Sequence, residues 1–404
     1  MTKNCDVVFG GVDTHKDVHV AAVIDERGKI LDTSSFEVSP KGYRQLWTWM
    51  TSYGELAKVG VEGTGAYGAG LARSLRFHKV DVVEVNRPNR QMRRQLGKSD
   101  PVDAEAAARA ALNGVATVVP KSHDSSVESI RVLRIAMRSA RDAKTRIALQ
   151  IRDLIITAPD GLRGQLGSLT TDQRVKRCAG FRPGDVSDPV EATRLALRTL
   201  SRRHQSLREE QRDLTKELDR LTAQVNPALR AAKGVGVDVA SILLVAAGEN
   251  AQRLTSESAF AAMCGVSPIQ ASSGKTIRHR LNRSGNRQAN HALWRIAMVR
   301  MATDEETKIY TARRQAEGKT KREITRCLKR YIAREIFTLL TKPTEVPVGF
   351  ELRRIRTNAK ISLRQVSDDL GTWPVRISRL ERGLDFDREL SARYQDWLTH
   401  HCVA

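Results

Sequence analysis

Apolar and polar positions alternate at the start of the chain and then change period. Val7, Val8 and Phe9 lead into GVDTHK (Gly11 to Lys16), and the alternating HVAAVID (His19 to Asp25) follows. With a turn at Glu26-Arg27-Gly28-Lys29, residues 5–36 predict three strands of an antiparallel meander. Pro40 to Met50 suits a helix, Lys58 to Glu62 a strand, GTGAYGAGLARSL the lead into a second helix, and Val80 to Val85 another strand. From Asp100, DPVDAEAAARAAL is helical on alanine content and entry signals. Strands first, then strand and helix in alternation, predict an α/β layer fold with a mixed sheet.

Beyond residue 125 the period lengthens. Ile130, Leu133, Met137, Ala140, Ile147, Ile151 and Leu154 recur three and four apart. A second arm carries Leu200, Leu207, Leu214 and Leu221 at seven-residue spacing, with Leu218 and Val225 filling part of the other seam position. This predicts a coiled coil whose arms pack either on each other or on a second subunit. Between the arms, Asp160 to Pro189 is rich in Gly, Thr and Pro and predicts an irregular tip. ALRAAKGVGVDVASILLVAAGE then places a GVG turn between two short helices. That is either an ordinary glycine turn or a helix-hairpin-helix able to hold a phosphate.

Charge narrows the partners. The chain of 404 residues carries a formal net charge of +22. Residues 1–84 hold 10 Lys/Arg against 11 Asp/Glu, and residues 345–404 hold 10 against 9, so the whole excess lies in 85–344. A near-neutral module followed by a basic body points to a polyanion. An anionic membrane is disfavoured, because no long basic amphipathic helix with an aromatic face stands out. The longest apolar run, near Val239 to Ala247, is too short to cross a bilayer, and no N-terminal segment suits export. Five scattered cysteines without a CxxC pair fit a reducing cytoplasm and neither a disulfide nor a zinc framework.

Acidic residues supply the candidate chemistry. Asp13 falls at the end of the first strand, where a carboxylate needs hydrogen bonds or a cation. Glu62 in VEGTG and the pair Asp100 and Asp103 in KSDPVDA are positioned to converge on it. Standing three apart at a helix start, the two aspartates face one way. Their plainer reading is capping, with Asp100 as N-cap, Pro101 next and Asp103 in the third position. Crowded carboxylates repel, and a hard divalent cation neutralises them. An actin-like ATPase places a similar Asp turn on such a sheet, but neither a second glycine-rich phosphate loop nor GxxxxGK[ST] follows. His15 and Lys16 read as positioning residues or as plain structure.

Basic candidates for nucleic-acid contact are Arg87, Arg90, Arg93, Arg94 and Lys98, then Lys275, Arg278, Arg280, Arg283 and Arg287. Ser258 to Thr303 holds seven Lys/Arg and no acid. Within it, Ser272 and Ser273 precede Gly274-Lys275 in what reads as a flexible basic loop. A serine there is either a nucleophile towards phosphate or only a hydrogen-bond donor to it.

Taken in order, GVDTHK, VEGTGAYGAGLARSL, GKSDPVDAEAAARA and CGVSP…SSGK…RSGNRQANHALWR resemble motifs of the IS-one-ten family of insertion-sequence transposases, relatives of the Piv-type DNA invertases. The resemblance covers about residues 5–340. It implies a RuvC-like domain with a mixed RNase H-type sheet (1–120), a helical coiled-coil domain (121–226) and a mainly helical transposase domain (227–342). It implies that Asp13, Glu62, Asp100 and Asp103 form a DEDD quartet binding one or two Mg²⁺ ions, with Mn²⁺ as a substitute. It also implies a serine nucleophile at Ser273 or Ser272; five residues on from the Pro of GVSP is Ser273, but the family's second glycine after the serine is absent. Donor and target DNA, a structured noncoding guide RNA and self-association as a dimer or tetramer are the implied partners. The implied setting is the bacterial cytoplasm at the nucleoid.

The tail is an addition. VGFELRRIRTNAKISLRQVSDDLGTWPVRISRLERG resembles a Cro/repressor-type helix-turn-helix (345–404), after a linker marked by Pro343 and Pro347. Leu352, Ile355, Leu363, Val366, Leu370, Ile377 and Leu380 would form its core, and Pro374 to Arg382 would offer Arg376 and Arg379 to a major groove. A small protein-docking module is the alternative reading. For the whole chain the expectation is an Mg²⁺-dependent DNA transposase or recombinase. Its rivals are a RuvC-like junction resolvase using water and a DNA-binding regulator acting through the tail.

Overall fold

The computed structural model describes residues 5–85, 99–273, 276, 279–343, 349–383, 385 and 387–402. The chain divides into two compact units, Met1–Ser125 with Gly248–Thr255, and Ser126–Ala247 with Ser256–Ala404.

The first unit is a mixed five-stranded sheet of RNase H-like topology. Its strands are β1 (Cys5–Thr14), β2 (Val18–Asp25), β3 (Ile30–Glu37), β4 (Gly54–Glu62) and β5 (Asp81–Val85), in the order β3-β2-β1-β4-β5. The meander pairs antiparallel, and β4 and β5 add in parallel on the other side of β1. The fourth strand begins at Gly54, four residues before the expected start. Helices α1 (Pro40–Thr51) and α2 (Ala69–Phe77) cover one face, where Val8, Val12, Ala21, Val23, Val59 and Val61 meet Leu46, Met50, Leu71 and Leu75. Ser39 starts α1 by accepting from the Gly42 N–H, with Pro40 at the first helical position.

Helix α3 (Asp100–Leu112) covers the opposite face, with Ala104, Ala107 and Ala111 against Val20, Ala22, Val83 and Val85. Its approach is unusually close because the sheet is bare beneath it. Gly11 and Gly60 are paired in register, and a Cβ on Gly11 would lie 2.1 Å from the Ala104 carbonyl oxygen and the Ala108 nitrogen. One on Gly60 would lie 2.4 Å from the Ala107 oxygen. The segment Gly248–Thr255 packs on this unit through Asn250, which donates to the Pro120 carbonyl at 2.9 Å, and Arg253, which donates to that of Val119 at 3.0 Å.

The second unit is mostly helical. Helices α4 (Ser126–Ile156) and α7 (Pro189–Val225) run back along each other as a helical hairpin within one chain, bridged by Lys144 donating to Gln211 at 2.5 Å. Asp160–Pro189 is only partly irregular: it forms α5 (Asp160–Leu166) and α6 (Thr171–Ala179), and 180–188 then runs without helix or strand. Their Leu162, Leu166, Val175 and Cys178 bury against Ile147, Ile151, Ile155 and Leu197, which stabilises short helices that propensity alone would not. The leucine row is displaced too. The buried positions of α7 are Leu197, Ser201, His204, Leu218 and Thr222, while Leu200, Leu207, Leu214 and Leu221 flank that seam half-exposed.

The chain continues through α8 (Pro227–Ala231), α9 (Val237–Ala247) and α10 (Glu257–Met263) to the strands β6 (Ile269–Gln270) and β7 (His279–Arg280). Helices α11 (Arg287–Thr303), α12 (Glu305–Ala316) and α13 (Lys321–Thr341) follow. The GVG segment is a turn between α8 and α9, with Gly234 at φ +85°. Arg134 of α4 donates to Asp238 at 3.1 Å, and Arg295 of α11 also pairs with it, so one acid joins three helices. The tail comprises α14 (Gly349–Asn358), α15 (Leu363–Asp369), α16 (Pro374–Glu381) and α17 (Arg388–Cys402). Leu352, Val366, Leu370, Ile377 and Leu380 are buried as expected and Leu363 partly so, but Ile355 is 39% exposed. Leu390, Tyr394 and Leu398 of α17 supply the rest of that core. Among the described residues no helix is long and apolar enough to cross a membrane.

Candidate active site

Strand register assembles the acidic site. Val12 pairs with Val61 across the parallel β1–β4 ladder, so Asp13 and Glu62 are the next residues on adjacent strands. Each lies two positions beyond its bare glycine, Gly11 or Gly60, and therefore on the face that α3 covers. Thr14 fastens the two strand ends by donating from Oγ1 to the Glu62 carbonyl at 2.8 Å. The first turn of α3 brings Asp100 and Asp103 to the same place. Ser99, not Asp100, is the N-cap residue, and its side chain makes no capping bond. Asp100 instead approaches the sheet end, where a half-exposed His15 lies between the carboxylates. His15 Nε2 is 3.1 Å from Asp13 Oδ2 and 3.4 Å from Asp100 Oδ2.

Asp13 is buried, with a side chain only 9% exposed. Burial raises its pKa above the ordinary carboxylate value; His15 opposes this, and the carboxylates of Asp103 and Asp100 reinforce it. Donor atoms of Asp13, His15 and Asp100 all lie within 4.8 Å of one another. Two hard oxygens and an imidazole at that separation, one of them on a buried acid strained by its like-charged neighbours, fit a divalent cation. Asp103 is buried in the first turn of α3 near enough to Asp13 to act on its charge, and Glu62 is half-buried at the end of β4 beside the end of β1. His15, which the sequence offers only as a positioning residue or as plain structure, stands among the candidate donors.

The serine segment lies in the second unit. Ile269 pairs with Arg280, Gln270 with His279, and Ser273 and Thr276 exchange backbone hydrogen bonds of 3.1 Å. Among the described residues the segment is thus a short two-stranded ribbon, with Ser273 exposed and Ser272 half-buried beside it. Its base is rigid. Gly265 and Gly285 both take left-handed φ (+64° and +89°), and their backbones are too close for a Cβ on either. Asn290 donates to the carbonyls of Cys264 at 2.8 Å and Gly265 at 3.1 Å, and accepts from Lys329 at 3.0 Å. Asn286 caps α11 by accepting from the N–H groups of Gln288 and Ala289.

Arg280, Arg283 and Arg287 are exposed around this ribbon. Arg376 and Arg379 are exposed on α16, and Arg376 is held to Asp387 at 2.6 Å. Arg87, Arg90, Arg93, Arg94, Lys98, Lys275 and Arg278 lie outside the described residues.

Comparison with known proteins accounts for this layout. A DEDD-type IS110 family model, described as a transposase, matches residues 10–157, and a model of the transposase IS116/IS110/IS902 family matches residues 226–312. Together they span more than half of the chain. The chain belongs to the IS110 family. It is also 32% identical over 133 residues to a protein of Streptomyces coelicolor named as the insertion element IS110 uncharacterized 43.6 kDa protein. That match takes in 32% of this chain and 33% of the relative, so the aligned part is about a third of the relative's length. The first IS110 match contains all four acids and His15, and the second contains the serine ribbon with its Gly265, Gly285 and Asn290 base.

Proposed function

We propose that this protein is an Mg²⁺-dependent DNA transposase that cuts and rejoins strands through a serine–DNA ester, guided by a noncoding RNA. The observation that carries the reading is the meeting of Asp13, Asp100 and Asp103 at the sheet end of a chain whose two family matches are both to transposases. Asp13 and Asp100, with Glu62 and Asp103 beside them, would hold the cation. When bound, it supplies a Lewis acid for the scissile phosphate.

Ser273, or Ser272 beside it, provides the nucleophile. Its Oγ bonds to phosphorus as the bond from phosphorus to the sugar oxygen breaks. The serine loses its proton and the departing sugar oxygen gains one. A hydroxyl of the second strand then displaces the serine in the reverse sense, so the number of phosphoester bonds is unchanged and no nucleotide is consumed. Exposed Arg280, Arg283 and Arg287 are placed to bind phosphate around the ribbon. The basic excess of residues 85–344 supports binding of RNA as well as DNA, with base pairing supplying sequence choice, as in other RNA-guided effectors. The tail, with α16 as its recognition helix, would add duplex binding.

The test is a denaturant-resistant protein–DNA adduct, formed with the element's ends and the RNA that copurifies with the chain. It is expected with the native protein and Mg²⁺, and absent from Asp13→Asn and from a Ser272→Ala, Ser273→Ala double variant. Strand cutting that persists undiminished in the double variant would assign the attack to water and overturn the serine step.

A further inference from the structure

The turn between β1 and β2 begins at His15, whose half-exposed imidazole reaches the carboxylates on either side of it. Nε2 lies 3.1 Å from Asp13 and 3.4 Å from Asp100. Ligands bound side by side in an octahedral shell at 2.0–2.1 Å lie about 3 Å apart. These separations are therefore already those of neighbouring donors around one ion. Entry of a cation would replace direct contacts by coordination with little movement of the three side chains. The arms are short and anchored, since Asp13 is fixed in the β1–β2 ladder and Asp100 in the first turn of α3.

We propose that His15 is a direct nitrogen ligand of the cation held by Asp13 and Asp100, and that it tunes the site towards Mn²⁺ over Mg²⁺. This rests on the cation-binding reading above and extends it beyond the four carboxylates. Carboxylate and water ligands suit Mg²⁺ and Mn²⁺ alike, whereas an imidazole nitrogen suits transition ions; of the two ions that accept an oxygen-rich shell, only Mn²⁺ is a transition ion and gains from the nitrogen. One nitrogen among oxygens therefore shifts the preference towards Mn²⁺ without closing the site to Mg²⁺.

The test uses the full chain and Mn²⁺ alone. Binding is followed by the loss of the free-ion signal in electron paramagnetic resonance, and ¹⁴N coupling to bound Mn²⁺ is read by pulsed measurements on the same samples. Native protein is expected to bind Mn²⁺ and show nitrogen coupling. His15→Gln is expected to lose that coupling and to weaken Mn²⁺ at least about tenfold, the lower end of what loss of even an outer-shell partner costs. Mg²⁺, measured by competition, should weaken less. Mn²⁺ bound by native protein with no nitrogen coupling would overturn the His15 assignment and leave the carboxylate reading standing. Failure of the native protein to bind Mn²⁺ at all would overturn both.

Discussion

Gly11→Ala is the sharpest probe of how the site is built, because it alters no acidic or basic group. The added methyl would lie 2.1 Å from the Ala104 oxygen and the Ala108 nitrogen, whereas ordinary contact begins near 3.4 Å. Both obstructing atoms are helix backbone and cannot rotate aside, so α3 must withdraw by more than 1 Å. Overpacking of this kind costs about 1–3 kcal/mol, and here the upper end is expected. The same withdrawal carries Asp100 away from Asp13 and His15. Displacements of about 1 Å in positioned groups lower rates by about a hundredfold. The assay pairs thermal unfolding with an Mn²⁺ titration, using Gly161→Ala as the contrast. Nothing lies within 4 Å of a Cβ at Gly161, which sits in helix α5, so alanine there should be neutral or stabilising by up to about 1 kcal/mol. A Gly11→Ala protein with native melting temperature and native Mn²⁺ affinity would refute the close-approach argument.

Other substitutions test other parts of the molecule. Ile151→Ala, at a position 1% exposed in the helical hairpin, should cost about 2–5 kcal/mol by denaturant unfolding, with monomer or oligomer mass unchanged because its partners are in the same chain. In the tail, Arg356 grips Glu381 at 2.6 and 2.9 Å while Tyr394 donates to the same carboxylate at 2.8 Å. Glu381→Gln should destabilise that module by about 3–5 kcal/mol, seen as faster amide exchange confined to residues 349–402. His19 is fully buried, and burial lowers its pKa to about 4 from 6.5, so the unfolded chain takes up its proton first. Stability should be complete above pH 6.5 and decline as pH falls towards 4 by up to about 3 kcal/mol, a dependence that His19→Phe should flatten in pH-resolved melts. Asn290→Ala removes both clamps on the 264–265 carbonyls and should abolish the serine adduct while leaving Mn²⁺ affinity unchanged.

The sheet, and the placing of Asp13 at a strand end and of Asp100 at a helix start, are legible because period-two alternation and a helix-start signal carry their own geometry. Once Asp13 ends a strand and Asp100-Pro101 opens a helix, little freedom remains. The tip of the hairpin was misread for a chemical reason. Its Pro and Gly residues punctuate helices rather than abolish them: Pro159 precedes α5, Gly167 ends it, Thr170 and Gln173 form a capping box for α6, and Pro189 opens α7. Composition registers all of these as irregularity. The leucine repeat is read correctly in kind and only in part in position. Seven-residue spacing identifies a stripe but not its centre: Leu200 and Leu207 pack at the edge of the core, while Leu197, Ser201, His204 and Leu218 are the buried positions. For His15 the pattern leaves a positioning role and plain structure both open. A single histidine at a strand end has no direction until the turn is built.

What joins these cases is that the acidic site depends on backbone proximity more than on the reach of side chains. An all-valine sheet face would hold α3 at the usual layer distance, and short aspartates on its first turn would then stand clear of Asp13. Two glycines facing an alanine-rich helix remove that spacer, so carboxylates with one methylene each can meet. The positive end of the α3 dipole meets them there and offsets part of their repulsion. Glycine and alanine in GVDTHK, VEGTG and DPVDAEAAARAAL are thus as much a part of the site as the acids between them. A DEDD pattern on a sheet without the small residues would have the ligands and lack the distance.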